Sequence, residues 1–367
     1  MTIYLDRPII SQEMIDAAVY SLQNEYPLFG ESIAKFEEEF ARYCGTNYAI
    51  SVGSGSDALM ISLIAISVKG KHVLTTPMSY VATANTSFHA GATPFFADVQ
   101  ENGNINPKEI GKKLKKDKKI KAIVPVHLHG YPAEMAEIME LACKKEIAII
   151  EDACQAHGAK YFGKRAGSMG LIGCFSFNPV KNMSVGGTAG MVVTNDEKLA
   201  NKIKMLADAG RKDVYSHEHE LIGFSSRINS VNAAIGRIQL RELDGWNEKR
   251  RGMAEEYRKR LSEIEWLQTP DCDENIEPVY NKFAIRTARR EELREFFSNN
   301  DIQSDGHYKI PIHLHPPYRK MGYKKGDFPM AEKFADTILS LPLHPNITLE
   351  EIEEVCSKIN EFGINKK

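Results

Sequence analysis

Between residues 49 and 194, short apolar runs alternate with stretches of helical periodicity, and this alternation constrains the fold more than any other feature of the chain. Residues 49–52, 73–76, 94–97, 122–126, 147–151, 174–177 and 191–194 read as strands. Helical patterns at 57–66, 133–145 and 196–209 lie between several of them. The strands are apolar throughout rather than at every second position, so both of their faces are buried. This predicts an α/β fold with a mainly parallel central sheet flanked by helices. Upstream, Ile33, Phe36, Phe40 and Tyr43 form the apolar stripe of a helix that Gly45 can end.

Beyond about residue 210 the pattern changes. Residues 232–260 read as one long helix carrying Ile235, Ile238, Leu240, Leu243, Trp246 and Tyr257. Shorter elements and a Pro-rich stretch at 307–317 follow, and a last helix at 348–362 opens on Thr348 with Glu351 three residues on, a capping box. The 367 residues have room for two domains, a large one over 1–240 and a smaller C-terminal α/β domain over 241–367.

Charge and hydropathy exclude several classes. A formal net charge of −2 argues against a nucleic-acid partner. No apolar run approaches the ~20 residues that span a bilayer, and the start, Met1 to Pro8, has no basic or apolar leader pattern. The expectation is a cytoplasmic protein without a membrane partner. The seven lysines and one aspartate of residues 112–121 read as a solvated helix face. Cys44, Cys143, Cys154, Cys174, Cys272 and Cys356 form no CxxC pair and read as reduced thiols, Cys143, Cys154 and Cys174 lying within or next to apolar elements.

Three segments carry candidate chemistry. In Val52-Gly53-Ser54-Gly55-Ser56-Asp57 a strand turns through glycines into a helix, whose first amides and dipole form an anion site. It matches neither a Walker A motif nor GxGxxG; an ordinary capped turn explains it equally well. Asp152, in Glu151-Asp152-Ala153-Cys154-Gln155, falls at the carboxyl end of a strand, where open α/β sheets bind ligands. A carboxylate there can pair with a pyridinium nitrogen or simply cap the next segment. In Ser176-Phe177-Asn178-Pro179-Val180-Lys181 a strand presents Ser176, Pro179 ends it, and Lys181 follows on a loop. Such a lysine can condense with an aldehyde cofactor and later move protons as the free amine, or lie in solvent.

Taken in order, Gly55-Ser56-Asp57-Ala58-Leu59, Tyr80-Val81-Ala82-Thr83-Ala84-Asn85, Glu151 to Gly158, and Ser176-Phe177-x-Pro179-x-Lys181-Asn182 resemble the DegT/DnrJ/EryC1/StrS family of pyridoxal 5'-phosphate (PLP)-dependent sugar aminotransferases. The likeness continues through Arg227, Ala233 to Gly236, His307-Tyr308, His313-Leu314-His315 and Ser340 to Pro345. It implies the fold-type-I transferase scaffold, with Lys181 as the lysine that holds PLP and Asp152 as the partner of its ring nitrogen. It further implies Gln155 near the phenolic oxygen, Tyr80 stacked on the ring, and Gly55, Ser56 and Ser176 at the phosphate. In this family a neighbouring subunit usually completes the phosphate site with an asparagine; the matching position here is Ser225, a shorter donor. Thr188 stands where the family often has an acidic residue.

The implied reaction transfers an amino group from L-glutamate to a keto group on a nucleotide-linked deoxysugar, in a homodimer with active sites at the interface. Arg227 is a candidate for the donor's carboxylate, or a salt bridge within the fold; His307 and Tyr308 are candidates for contacts near the cofactor, including the partner's. A related branch of sugar dehydratases has histidine in place of the lysine, so Lys181 favours transamination. A keto-cyclitol aminotransferase and a PLP-binding regulator without turnover also fit the resemblance. His127-x-His129 and His313-x-His315 would each put two imidazoles on one face if extended; the resemblance reads them as pocket-lining or packing residues, with no metal.

Overall fold

The structure, a computed structural model, describes residues 2–213, 217–270 and 273–364. Cys272 lies outside them. In chain order the strands among these residues are β1 (Tyr48–Val52), β2 (His72–Thr75), β3 (Thr93–Phe96), β4 (Ile120–Val124), β5 (Ala148–Asp152), β6 (Lys160–Tyr161), β7 (Lys164–Arg165), β8 (Ile172–Ser176), β9 (Gly190–Thr194), β10 (Ile276–Glu277), β11 (Phe283–Arg286) and β12 (Ile338–Leu341).

Seven strands form the central sheet in the order β1-β9-β8-β5-β4-β2-β3. All neighbouring pairs are parallel except those of β9, which runs antiparallel to both β1 and β8. The seven strand expectations each overlap one of these strands. The apolar reading holds because both faces are covered: Val52, Val73, Val124, Ile150 and Val192 pack with helix Gly55–Ala65 in one cluster. Phe175, Met191 and Val193 pack with Phe36 and Phe40 of helix Glu31–Cys44 in another. That helix ends on Gly45, whose φ of 76° is the left-handed conformation glycine adopts freely.

The long helix runs unbroken from Ser230 to Leu261 and so passes through residue 240. Its first half packs on the central layers, and Ala254, Tyr257 and Leu261 enter a separate apolar cluster with Phe283, Ile285, Leu339 and Val355. There β11 and β12 pair antiparallel, backed by helices Arg290–Ser298 and Leu349–Ile364. Ile3 joins this distant cluster, its amide bonding to the carbonyl of Asp301. The capping box forms as expected: the Glu351 amide donates to the Thr348 hydroxyl, and the Thr348 amide donates to the Glu351 carboxylate.

Other expectations are corrected. The lysine-rich segment is not one helix face: helix Pro107–Lys116 ends before Asp117, and Lys121 already lies on β4. Ile120, Ala122 and Ile123 are apolar enough to enter the sheet, which overrides the run of charges around them. Helices Gln12–Asn24 and Ala82–His89 are not expected from the sequence pattern. Cys143 is exposed on its helix, whereas Cys44, Cys174 and Cys356 are buried; all five described cysteines are free thiols.

Candidate active site

The carboxyl ends of β1, β5 and β8 open into one cleft of about 420 Å³, within the size range of small-molecule sites. It is lined by Gly55 and Ser56 after β1, Asp152, Cys154 and Gln155 after β5, and Ser176 and Lys181 after β8. Ser79, Tyr80 and Thr83, then Thr188, and His307 and Tyr308 complete the wall.

The glycine-serine turn is both a capped helix start and a polar rim. Ser54 is the N-cap, its hydroxyl accepting from the Asp57 amide at 3.0 Å. The amides of Gly55 and Ser56 precede the first intrahelical bonds and have no acceptor within the helix. Two glycines make the approach possible. A Cβ on Gly55 would stand 2.6 Å from the Ser176 Cβ, and one on Gly190 would stand 2.3 Å from the Ser54 carbonyl oxygen. Bare backbone at both positions lets the turn, β8 and β9 close on one another.

Successive residues of a strand point to opposite faces, and β5 uses this to separate two carboxylates. Glu151 faces inward and is fully buried. Its oxygens accept the amides of Gly167 and Met169, each at 2.7 Å, and pair with His127 Nε2 at 2.9 Å. The Ala133 amide donates to His127 Nδ1, which assigns the neutral imidazole's proton to Nε2. Asp152 faces the cleft and is 4 % exposed. Its Oδ2 accepts from the Thr83 hydroxyl at 2.7 Å, Thr83 lies 2.8 Å from the Ser79 hydroxyl, and Oδ1 accepts from the Cys154 amide at 3.3 Å.

The opposite wall is aromatic. Tyr80, 57 % exposed, faces Tyr308 with ring centroids 6.1 Å apart. Gln155 accepts from the His129 amide at 2.8 Å, and its Nε2 lies 3.4 Å from the Tyr308 hydroxyl. His129 Nε2 donates to the His307 carbonyl at 2.7 Å. Burial holds His307 at about 4, with nearby Lys282 adding to the effect, and burial lowers His129 to about 3. Burial likewise pushes the Tyr308 hydroxyl and the Cys154 thiol up, so both stay protonated at neutral pH. Lys181 follows the turn closed by its own amide on the Asn178 carbonyl, and its partly buried side chain lines the cleft.

The structure thus brings Lys181, Asp152, Gly55, Ser56, Tyr80, Gln155 and Ser176 together, with His307 and Tyr308 in the cleft of the same chain. It does not bring in Ser225 or Arg227. Ser225 is exposed and bridges to Asp208; Arg227 is salt-bridged to Asp208 at 2.8 Å. Neither His-x-His segment is extended. His127 and His129 flank the start of a tight turn with His129 at φ 56°, and His313 sits in another turn, 3.0 Å from Glu332. Among the described residues no three His, Cys, Asp or Glu side chains are grouped to hold a metal ion, and no helix is long and apolar enough to cross a membrane. Sequence reasoning missed Ser79 and assigned Thr83 no role. Thr83 lies within a quoted motif, but its meeting with Asp152 depends on the unexpected helix Ala82–His89.

Residues 8–360 match the sequence model of the DegT/DnrJ/EryC1/StrS aminotransferase family. The chain belongs to that family. It is 37% identical over 338 residues to the dTDP-3-amino-3,4,6-trideoxy-alpha-D-glucose transaminase of Streptomyces venezuelae, covering 92% of this chain and 88% of the relative. It is 38% identical to a pleiotropic regulatory protein of Geobacillus stearothermophilus, over 91% of this chain and 90% of that one. Among solved structures, S. venezuelae DesV in complex with a ketimine intermediate superposes with a TM-score of 0.92 at 36% identity, covering 95% of this chain and 94% of DesV. An aminotransferase fold and the enzyme class follow together: this chain is an aminotransferase.

Proposed function

We propose that the chain is a PLP-dependent aminotransferase that moves the amino group of L-glutamate to a keto group on a nucleotide-linked deoxysugar. The observation that carries this reading is the meeting of an amine, Lys181, and a carboxylate, Asp152, in one cleft rimmed by the start of helix Gly55–Ala65. That donor set fits PLP: an anion site for phosphate, an acceptor for a protonated ring nitrogen, an amine for the aldehyde and a flat tyrosine for the ring face. When bound, PLP supplies an aldehyde that condenses with amines and a ring that draws electron density from the adjoining carbon.

In this reading Gly55, Ser56 and Ser176 would hold the phosphate, and the Asp152 carboxylate would accept a hydrogen bond from the protonated ring nitrogen, which keeps its proton. Tyr80 covers one face of the ring, and Gln155, itself held by the His129 amide, stands at the phenolic oxygen. Lys181 Nζ would hold the cofactor through its aldehyde, and as the free amine it would move a proton at the donor's α-carbon and at the sugar carbon that receives nitrogen. His307 and Tyr308, neutral at physiological pH, offer hydrogen bonds to substrate without adding charge.

The reading includes a homodimer. Ile15, Val19, Tyr20, Leu22, Tyr26 and Phe29 are exposed on a single chain along the first helix and the turn after it, an apolar stretch suited to a second copy. Ser225 and Arg227, absent from their own cleft, then serve the partner's: Ser225 at the phosphate and Arg227 at the donor carboxylate. A large domain over 1–240 and a smaller one over 241–367 complete the reading, supported by the separate apolar cluster around Tyr257, Phe283 and Leu339.

The test is a panel of nucleotide-linked 3-keto and 4-keto sugars incubated with PLP and glutamate, with products identified by NMR. An amino sugar formed together with one equivalent of 2-oxoglutarate is expected. Deoxygenation of a keto-sugar without glutamate consumption would replace the reading with a dehydratase, and no turnover on any member would replace it with a binding protein.

A further inference from the structure

Asp152 is held by more than its strand. Thr83, on the first turn of helix Ala82–His89, lies 2.7 Å from Asp152 Oδ2, and Ser79, in the loop before that helix, lies 2.8 Å from Thr83. All three side chains are at most 4 % exposed. A carboxylate can only accept, so the Thr83 hydroxyl must give its single proton to Asp152. That leaves Thr83 an acceptor, and Ser79 must supply the second hydrogen bond. With Asp152 ionised, as the PLP reading requires, hydrogen-bond capacity sets the direction Ser79 to Thr83 to Asp152. In a buried site, aligned hydroxyls polarise one another and favour the ionised state of the group at the end.

Geometry adds a second effect. With Oδ2 tied to Thr83 and Oδ1 to the Cys154 amide, the carboxyl plane cannot rotate freely, and its remaining acceptor positions line the cleft.

We propose that Ser79 and Thr83 are positioning residues, a two-hydroxyl chain that keeps Asp152 ionised and aimed so that the proton stays on the cofactor's ring nitrogen. This rests on the PLP reading above. Each is proposed to act on the ring nitrogen through Asp152.

The test uses the full-length protein loaded with PLP that carries nitrogen-15 in the ring. Thr83→Val keeps the shape and removes the hydroxyl, Thr83→Ser keeps the hydroxyl, and Ser79→Ala shortens the chain by one link. In the wild type the ring-nitrogen signal should sit at its protonated position. In Thr83→Val it should shift toward the unprotonated position, with kcat falling about tenfold or more and KM for glutamate little changed, as expected for a lost hydrogen bond to a charged group. Thr83→Ser should restore both, and Ser79→Ala should give a smaller shift in the same direction. An unshifted ring-nitrogen signal in Thr83→Val, or a shift that Thr83→Ser does not reverse, overturns the proposal. If Thr83→Val does not fold, an unshifted signal in Ser79→Ala overturns it instead. Wild-type protein that takes up no PLP would be a different failure, bringing down the cofactor reading and this inference with it.

Discussion

Asp152 and Glu151 are adjacent in sequence yet serve opposite faces of one strand, and the proposed chemistry depends on that separation. Glu151 is spent on backbone amides and His127; Asp152 keeps acceptor positions on the cleft. Asp152→Asn preserves the shape but removes the charge proposed to hold the ring-nitrogen proton. It should lower kcat roughly a hundredfold or more while leaving the far-UV circular dichroism unchanged. A second prediction concerns His157, fully buried with rings 5.4 Å from Phe175 and 5.7 Å from Phe177, where burial lowers it from 6.5 to about 3. The unfolded chain binds this proton more readily than the folded one. Its stabilising contribution is therefore whole above pH ~6.5 and drains away as pH falls from there to about 3, at a slope of roughly 1.4 kcal/mol per pH unit. His157→Phe should flatten that slope in urea titrations at pH 7 and pH 4.5. An unchanged slope would mean the site is not dry.

Among elements, the strands were legible and several helices were not, for a physical reason. Doubly buried strands write unbroken apolar runs, and each expected strand overlaps an observed one. Helix Gln12–Asn24 keeps Ile15, Val19 and Leu22 at its surface, so the one-sided periodicity that marks a packed helix is blurred. Helix Ala82–His89 is short and rich in Thr, Ser and Asn, poor helix formers, and is held by packing against helix Gly55–Ala65 and strands β2 and β3. Lys181, Asp152 and the glycine-serine turn were legible because each sits at a strand end, whereas the meeting of Ser79 and Thr83 with Asp152 is tertiary. Two element-level predictions follow from local geometry. Gly190→Ala would push a methyl against the Ser54 carbonyl and part β9 from the turn, costing about 1–3 kcal/mol and weakening PLP uptake in a direct titration. Thr348→Ala removes the cap of the last helix and should cost about 1 kcal/mol in denaturant unfolding, with kcat unaltered because the helix lies in the cluster around Val355 and Phe362.

At the scale of the molecule, the unbroken helix Ser230–Leu261 runs from the central layers into the cluster around Phe283 and Val355, and the N-terminal segment carries Ile3 to the same cluster. Of the two readings of Arg227, a contact for the donor's carboxylate or a salt bridge within the fold, a single chain shows the second: Arg227 is paired with Asp208, outside the cleft. In the homodimer reading that position becomes useful only across an interface, and no single-chain argument could reveal it. Leu22→Asp, placing a charge on a side chain 71 % exposed in one copy, should shift sedimentation from dimer to monomer and reduce activity with it. A charge there that leaves both mass and activity untouched would put the interface elsewhere.

The proposed chemistry depends on the covalent role of Lys181. The direct measurement is to load the protein with PLP, reduce it with borohydride and map the modified peptide by mass spectrometry. A single phosphopyridoxyl group is expected on Lys181 in the wild type, and none on that peptide in Lys181→Ala that still takes up PLP reversibly. A modification on another lysine, or none in protein that binds PLP, would contradict it.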